Sequence, residues 1–275
     1  FTNLYLPKLH RSGYVAPNMG DGESDLISPG GYVMDSIPGL YKNVLVLDFK
    51  SLYPSIIRTF KIDPMGLIEG LLCEDLSEKI KGFDGAYFSR EKHFLPDIIQ
   101  SLWLERDKAK QEKNAALSQA IKIIMNSFYG VLGSTGCRFF DPRLSGSITK
   151  RSHELIKTTK RWIEDLGYQV IYGDTDSIFI HVGNEKTSSQ SCEVGQTLQG
   201  LINQKWQQIL REDFNLKSEL EIEFETHFSQ FLMPTVRGGT LDSGSSIGTK
   251  KRYAGIVSNG GDDTLIFKGM ETVRS

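Results

Sequence analysis

The sequence is poor in cysteine, in net charge and in long apolar runs, and each shortage excludes something. Its 275 residues hold three cysteines, Cys73, Cys137 and Cys192. A scattered, odd-numbered set builds neither a disulfide frame nor a zinc site, and it favours a reducing, cytoplasmic setting. No apolar run approaches the roughly 20 residues that cross a bilayer, so no membrane partner is expected. The net charge is only −2, so a polyanion would have to be held by local clusters of Lys and Arg rather than by a global basic field. No internal repeat occurs, and HELIK misses the HExxH spacing of zinc proteases because its fifth residue is Lys157. The chain begins at Phe1 with no charged start, apolar stretch and cleavage site, and reads as a piece of a longer protein. What is present, 39% hydrophobic and 24% charged residues, is a globular composition.

Residues 1–40 read as an irregular lead-in, with turn chemistry in GDGESD and SPGG. VLVLD predicts a buried strand ending in a carboxylate, and SLYPSIIRTF a helix with Pro54 near its start. LPDIIQSLWLERDKAK and LSQAIKIIMNSFYG both carry helical periodicity, so a helical hairpin is expected across the polar QEKNAA. A further helix is expected up to Gly167. YQVIY and SIFIHV predict a strand hairpin with acids at its tip. GNEKTSSQSCEVG reads as a polar loop and TLQGLINQKWQQILREDF as a helix. ELEIEFET reads as a strand with Glu219, Glu221, Glu223 and Glu225 on one face. RGGTLDSGSSIGT reads as a loop, and KKRYAGIV with TLIFKG as a closing strand pair. The sum is an α+β chain, an antiparallel sheet carrying carboxylates with helices behind it and a helical hairpin inserted. Expected divisions fall at 1–40, 41–90, 91–129 and 130–275.

Asp174 and Asp176, two apart in YGDTDS, leave one face of an extended backbone. Carboxylates so close repel unless a cation lies between them. Alone, the pattern is more often that of an ordinary acidic turn. Asp48, ending another apolar strand, shifts the balance, because hard oxygens from two strand ends suit Mg²⁺ completed by substrate phosphates. Two such ions about 4 Å apart would clamp the attacking and leaving oxygens of a phosphoryl displacement. Cations are then expected nearby. Arg106 and Lys110 are spaced i, i+4, as are Lys122 and Asn126, with Tyr129 continuing the second stripe. Solvated helix faces give the same pattern. Lys250, Lys251, Arg252 and Tyr253 join a basic cluster to an aromatic, a candidate nucleic-acid contact that is weak by itself.

DFKSLYPSII, KIIMNSFYG and YGDTDS together, in that order, resemble the three polymerase motifs of family B DNA polymerases, with the first most similar to bacterial members. KKRY and the terminal KGMETVR resemble two further motifs of that family, so the likeness runs from about residue 27 to the end. The resemblance implies a polymerase palm with a helical-hairpin fingers insertion at 91–129, and template-directed addition of deoxynucleotides to a primer 3′-hydroxyl. It implies that Asp48 and Asp176 hold two catalytic Mg²⁺ ions with Asp174 assisting, the Phe49 carbonyl adding a ligand. Ser51, Leu52 and Tyr53 would cradle the β and γ phosphates by their amides, and the Tyr53 ring would exclude a 2′-hydroxyl. Arg106, Lys110 and Lys122 would neutralise the triphosphate, with Asn126 near it and Tyr129 beside the nascent base pair. Lys250, Lys251, Arg252 and Tyr253 would lie against the primer duplex, while Glu223 and Glu225 match an acidic strand near the site. Implied partners are primed DNA, deoxynucleoside triphosphates and, for a full-length bacterial parent associated with the nucleoid, a sliding clamp. The chain departs from the family in two places: only Gly30 and Gly31 match its linker motif, and Asp21 and Glu23 lie in a glycine-rich loop rather than on an exonuclease strand. A chain ending just after Arg274, where the thumb would begin, is expected to grip duplex poorly, and a fragment that binds without turnover is the alternative outcome.

Overall fold

The computed structural model describes residues 1–22, 27–240, 246–259 and 262–269. Residues 23–25 of GDGESD, 241–245 of RGGTLDSGSSIGT and 270–274 of KGMETVR, on which three expectations fell, lie outside the described residues. The described ends of the expected loop RGGTLDSGSSIGT belong to strands, Thr235–Thr240 and Ser246–Gly248. In chain order the elements are α1 (Thr2–Arg11), β1 (Gly39–Phe49), α2 (Leu52–Phe60), α3 (Pro64–Leu72), β2 (Lys79–Lys81), β3 (Tyr87–Ser89), α4 (Leu95–Gln111), α5 (Ala115–Leu132), α6 (Pro142–Asp165), β4 (Gln169–Asp174), β5 (Ser177–His181), α7 (Ser188–Phe214), β6 (Ile222–Met233), β7 (Thr235–Thr240), β8 (Ser246–Gly248), β9 (Tyr253–Asn259) and β10 (Asp262–Lys268). They form an α+β chain of two units. One comprises Phe1–Gly30, Ser51–Ser152 and Gln207–Leu220, the other Gly31–Lys50, His153–Trp206 and Glu221–Ser275.

The second unit is built on a six-stranded sheet of order β10-β9-β6-β1-β5-β4. Every neighbour in it is antiparallel. Central β1 is buried from Val44 to Leu47, which is why its sequence is an unbroken apolar run rather than an alternation. On one face Val44, Val46, Tyr172, Phe179, Phe228 and Phe231 form a core cluster against which Tyr253 packs. Opposite the β1 side, the start of β6 is closed by α7. The Asn203 side chain both donates to the Ile222 carbonyl (2.9 Å) and accepts from its N–H (2.8 Å), and Gln199 accepts from the Phe224 N–H at 2.7 Å. A strand edge is thereby satisfied without a further strand.

Two expectations are corrected here. The acidic strand was read from Glu219, but β6 begins at Ile222, and its register slips between Val46 and Leu47, leaving Glu225 as a bulge. The glutamates therefore do not share one uninterrupted face. The polar stretch expected as loop is loop only over residues 183–187; from Ser188 it forms the first turns of α7, opened by a capping box in which the Gln190 N–H donates to Thr187 Oγ1 and the Thr187 N–H to Gln190 Oε1. Gly195 sits inside this helix because a Cβ there would lie 2.7 Å from the Phe224 ring.

In the first unit α4 and α5 form the expected hairpin, packed against each other. Asn114 caps α5 by accepting from the Leu117 N–H at 3.1 Å. The lead-in is corrected too: Thr2–Arg11 is helical, with Tyr5 and Leu9 buried one turn apart. Pro7 inside that pattern obscured it in the sequence.

Candidate active site

The register of the sheet puts the acids on one rung. Glu223 on β6 lies opposite Asp48 on β1, Asp48 opposite Ser177 on β5, and Ser177 opposite Asp174 on β4. Directly opposed residues of antiparallel strands project from the same face. Asp48 and Asp174 thus flank the short Ser177 from either side, about 9.5 Å apart at the backbone by two strand spacings. One rung inward the same face turns apolar, with Val46, Phe179 and Tyr172. The carboxylates therefore stand at the rim of a dry core, where their mutual repulsion and their attraction for a cation are both strengthened.

Asp176 is held in the turn beyond this rung. Its N–H donates to the Asp174 carbonyl at 2.5 Å across Thr175, whose φ is 52°. A bond between residues two apart with positive φ at the centre is a strained γ-turn, and such strain costs about 1–3 kcal/mol. Several contacts hold it in place. The Thr175 hydroxyl donates to Asp174 Oδ1 at 3.0 Å, and its N–H to the Tyr32 carbonyl at 2.7 Å. The Phe49 N–H donates to the Asp176 carbonyl at 2.8 Å, tying the turn to the end of β1. Gly31 permits the close approach, since a Cβ there would lie 2.7 Å from Thr175 Oγ1. The stretch around Tyr32 runs along the free edge of β4, with Val33 bridging Asp174 and the Met34 N–H donating to the Gly173 carbonyl. This brace was not foreseen; only the paired glycines signalled it.

The basic cluster reaches the same acids. Lys251 Nζ is 3.7 Å from Asp174 Oδ1, and the Lys251 N–H donates to the Tyr172 hydroxyl oxygen at 2.8 Å, with Lys251 itself at φ 61°. Burial, helped by the charge of Asp174, pushes the Tyr172 hydroxyl up to about 12, so it stays protonated and faces Asp174 Oδ2 at 3.5 Å. Burial also pushes Tyr253 up, with Glu225 and Asp174 adding to the shift. Lys250 pairs with Asp35 at 3.1 Å, and Arg252 is exposed. On the other side of Asp48, the Lys50 ammonium is shared by Glu221 and Glu223. Burial draws the Lys50 pKa down, and its hydrogen bonds to the two glutamates outweigh that, leaving it raised. Among the described residues no group of three His, Cys, Asp or Glu is gathered as a ready metal cluster.

The remaining sequence-predicted residues lie in the first unit. Ser51, at φ 42°, precedes α2 without a side-chain cap, and Leu52 is buried. The rings of Tyr53 and Tyr129 meet with centroids 4.5 Å apart. Burial pushes the Tyr129 hydroxyl up. Arg106 is half-buried, and its Nε is buried without a hydrogen-bond partner. Lys110, Lys122 and Asn126 are exposed on α4 and α5. Asp21, expected in a loop rather than on an exonuclease strand, accepts from the Asn18 N–H in an exposed turn.

A family model described as DNA polymerase family B matches residues 2–275. The chain is similar to DNA polymerase II of Escherichia coli strain K12, with 54% identity over 275 residues, 100% of this chain and 34% of that protein. It is similar to the DNA polymerase of Thermococcus gorgonarius, with 31% identity over 288 residues, 98% of this chain and 33% of that one. Its fold is similar to a solved family B DNA polymerase from Pyrobaculum calidifontis, at a TM-score of 0.61 and 24% identity, covering 96% of this chain and 32% of that chain. The chain thus spans 34% and 33% of the two curated relatives. Among the described residues no helix is long and apolar enough to cross a membrane.

Proposed function

The chain belongs to DNA polymerase family B, and from that premise we propose that it carries the catalytic palm and fingers of an enzyme extending a DNA primer against a DNA template. The observation that carries the reading is the rung of Asp48, Ser177 and Asp174 with Asp176 held in the strained turn beside it. Its donors are hard oxygens from two strand ends around a short serine, a set that fits Mg²⁺. Asp48, Asp176 and the Phe49 carbonyl would hold two such ions, with Asp174 assisting. Bound there, they would make the primer 3′-hydroxyl more acidic and offset charge on the departing pyrophosphate.

The protein's own groups do the rest by position and charge. The 3′-oxygen bonds to the α-phosphorus of the deoxynucleotide, the bond to the β-phosphate oxygen breaks, and the hydroxyl proton passes to solvent. Arg106, Lys110 and Lys122 offset the triphosphate charge, Asn126 lies near it, and the N-terminal turn of α2 at Ser51, Leu52 and Tyr53 offers backbone amides to the β and γ phosphates. Tyr53, already packed on Tyr129, closes the space a 2′-hydroxyl would need. Lys250, Lys251, Arg252 and Tyr253 face the primer duplex. Lys50, held by Glu221 and Glu223, limits the negative charge beside Asp48. A cytoplasmic, DNA-associated setting and a sliding clamp for the full-length protein go with this reading.

The test is nucleotide incorporation by the full-length protein on primed DNA and primed RNA templates, with deoxy- and ribonucleotides compared. Template-directed incorporation of deoxynucleotides on DNA is expected. Binding of primed DNA and nucleotide with no extension on any template would overturn the enzyme reading and leave a binding module.

A further inference from the structure

Asp63 is a fully buried acid that the proposed chemistry does not use. Both its oxygens are filled. Oδ2 accepts from the Tyr5 hydroxyl at 2.8 Å and from the Gly66 N–H at 2.7 Å, and Oδ1 from the N–H groups of Phe94 at 3.0 Å and Leu95 at 2.7 Å. The Tyr5 oxygen in turn accepts from the Met65 N–H at 3.0 Å. One carboxylate therefore caps the first turns of both α3 and α4 and is held from α1. An ordinary N-cap serves one helix. Here two helix starts, each the positive end of a dipole, converge on a single side chain. Aromatic rings surround the joint: Tyr5 lies 5.7 Å from Phe94 and 4.9 Å from Phe139, and Phe1 lies 5.7 Å from Phe128 of α5. The base of the α4–α5 hairpin is tied at this point.

We infer that Asp63 is a positioning residue for the incoming nucleotide, fixing the N-terminal end of α4 and through it the placement of Arg106 and Lys110. The inference rests on the reading that those two cations hold the triphosphate. The lever is long. At 1.5 Å per residue, Arg106 lies about 16 Å and Lys110 about 22 Å along the helix from Leu95. A tilt of about 5° at the joint would carry them by about 1.4 Å and 2 Å, enough to lengthen their contacts to the triphosphate beyond hydrogen-bond reach and so to weaken nucleotide binding. A purely structural Asp63 would instead lower stability and leave nucleotide recognition alone.

The experiment measures single-nucleotide incorporation by the full-length protein in Asp63→Asn, Tyr5→Phe, Arg106→Ala and the Asp63→Asn/Arg106→Ala pair, together with primed-DNA affinity. Asn keeps the size of Asp63 but turns an amide toward two donors, whereas Tyr5→Phe removes the hydroxyl's bonds to Asp63 and from the Met65 N–H and leaves the caps from Gly66, Phe94 and Leu95 in place. The KM for deoxynucleotide should rise about tenfold in Asp63→Asn and less in Tyr5→Phe, with kcat and DNA affinity changing less than about twofold. In the Arg106→Ala background Asp63→Asn should raise KM by clearly less than it does alone, because only its effect through Lys110 remains. If Arg106→Ala raises KM while Asp63→Asn and Tyr5→Phe change only the melting temperature, this inference is overturned and the reading of the cations stands. If Arg106→Ala leaves KM unchanged, both fall. Should Asp63→Asn fail to fold, an unchanged KM in Tyr5→Phe overturns it alone.

Discussion

Tyr53 shows what one side chain contributes to the proposed chemistry. Its ring meets Tyr129 at a tilt, 4.5 Å between centroids, a contact that would resist displacement by an extra hydroxyl if the ring lies under the sugar as proposed. Tyr53→Ala is expected to admit ribonucleotides, lowering deoxy-over-ribo selectivity by at least about 100-fold, the scale of about 3 kcal/mol of steric exclusion. Measured as the ratio of kcat/KM values, unchanged selectivity in an active variant would remove the gate. Asp48, Asp174 and Asp176 were legible because each closes or follows an apolar run. The place of Glu223 opposite Asp48 was not, because it depends on the bulge at Glu225, which tertiary pairing decides. Asp63 was half legible: Asp followed by Pro64 marks a helix start, but its second helix lies 32 residues onward in Leu95.

At the scale of elements, close approach explains where glycine is needed. Gly195→Ala improves helix propensity by about 1 kcal/mol, yet its Cβ would press the Phe224 ring at 2.7 Å, and overpacking costs about 1–3 kcal/mol. Urea unfolding should show a net loss of about 1 kcal/mol, and a gain would contradict the packing of α7 on β6. Gly31→Ala should push on Thr175 and disturb the acidic turn, lowering incorporation about tenfold or more with little change in stability. Adding Thr175→Gly, which removes the obstructing side chain and suits φ 52°, should restore part of the rate; no rescue would detach Gly31 from the turn. In the first unit, hydrogen bonds from Lys92 and then Tyr14 hold the Glu69 carboxyl below its usual range. A depressed acid stabilises above its unfolded pKa, about 4.3, and that contribution disappears as pH falls through the folded value. The stability gap between wild type and Glu69→Gln should therefore narrow on acidification from pH 6 to 3; a gap that widens would reverse the sign. Periodicity revealed α4 and α5 to within two residues at each end, whereas the start of α7 hid in polar residues whose only signal was the Thr187 and Gln190 box.

For the molecule as a whole, three motifs in order were enough to indicate an α+β chain with an antiparallel sheet and a helical hairpin. The sequence did not reveal its division, since each unit is assembled from three separate stretches of chain. Spans so interleaved are joined by long-range packing rather than by local pattern. In the proposed function the acids gathered at the end of β1 and in the β4–β5 turn drive DNA synthesis. Asp176→Asn tests it most directly, because the change keeps the size of the side chain and leaves its backbone bond to Phe49 in place. The measurement is extension of a primed DNA template by full-length wild type and Asp176→Asn, with Mg²⁺ and all four deoxynucleotides, beside circular dichroism of both. Extension by the wild type, with at least a 10³-fold loss in a folded Asp176→Asn, about 4 kcal/mol at the transition state, is what the account predicts. Equal extension by the two proteins would contradict it.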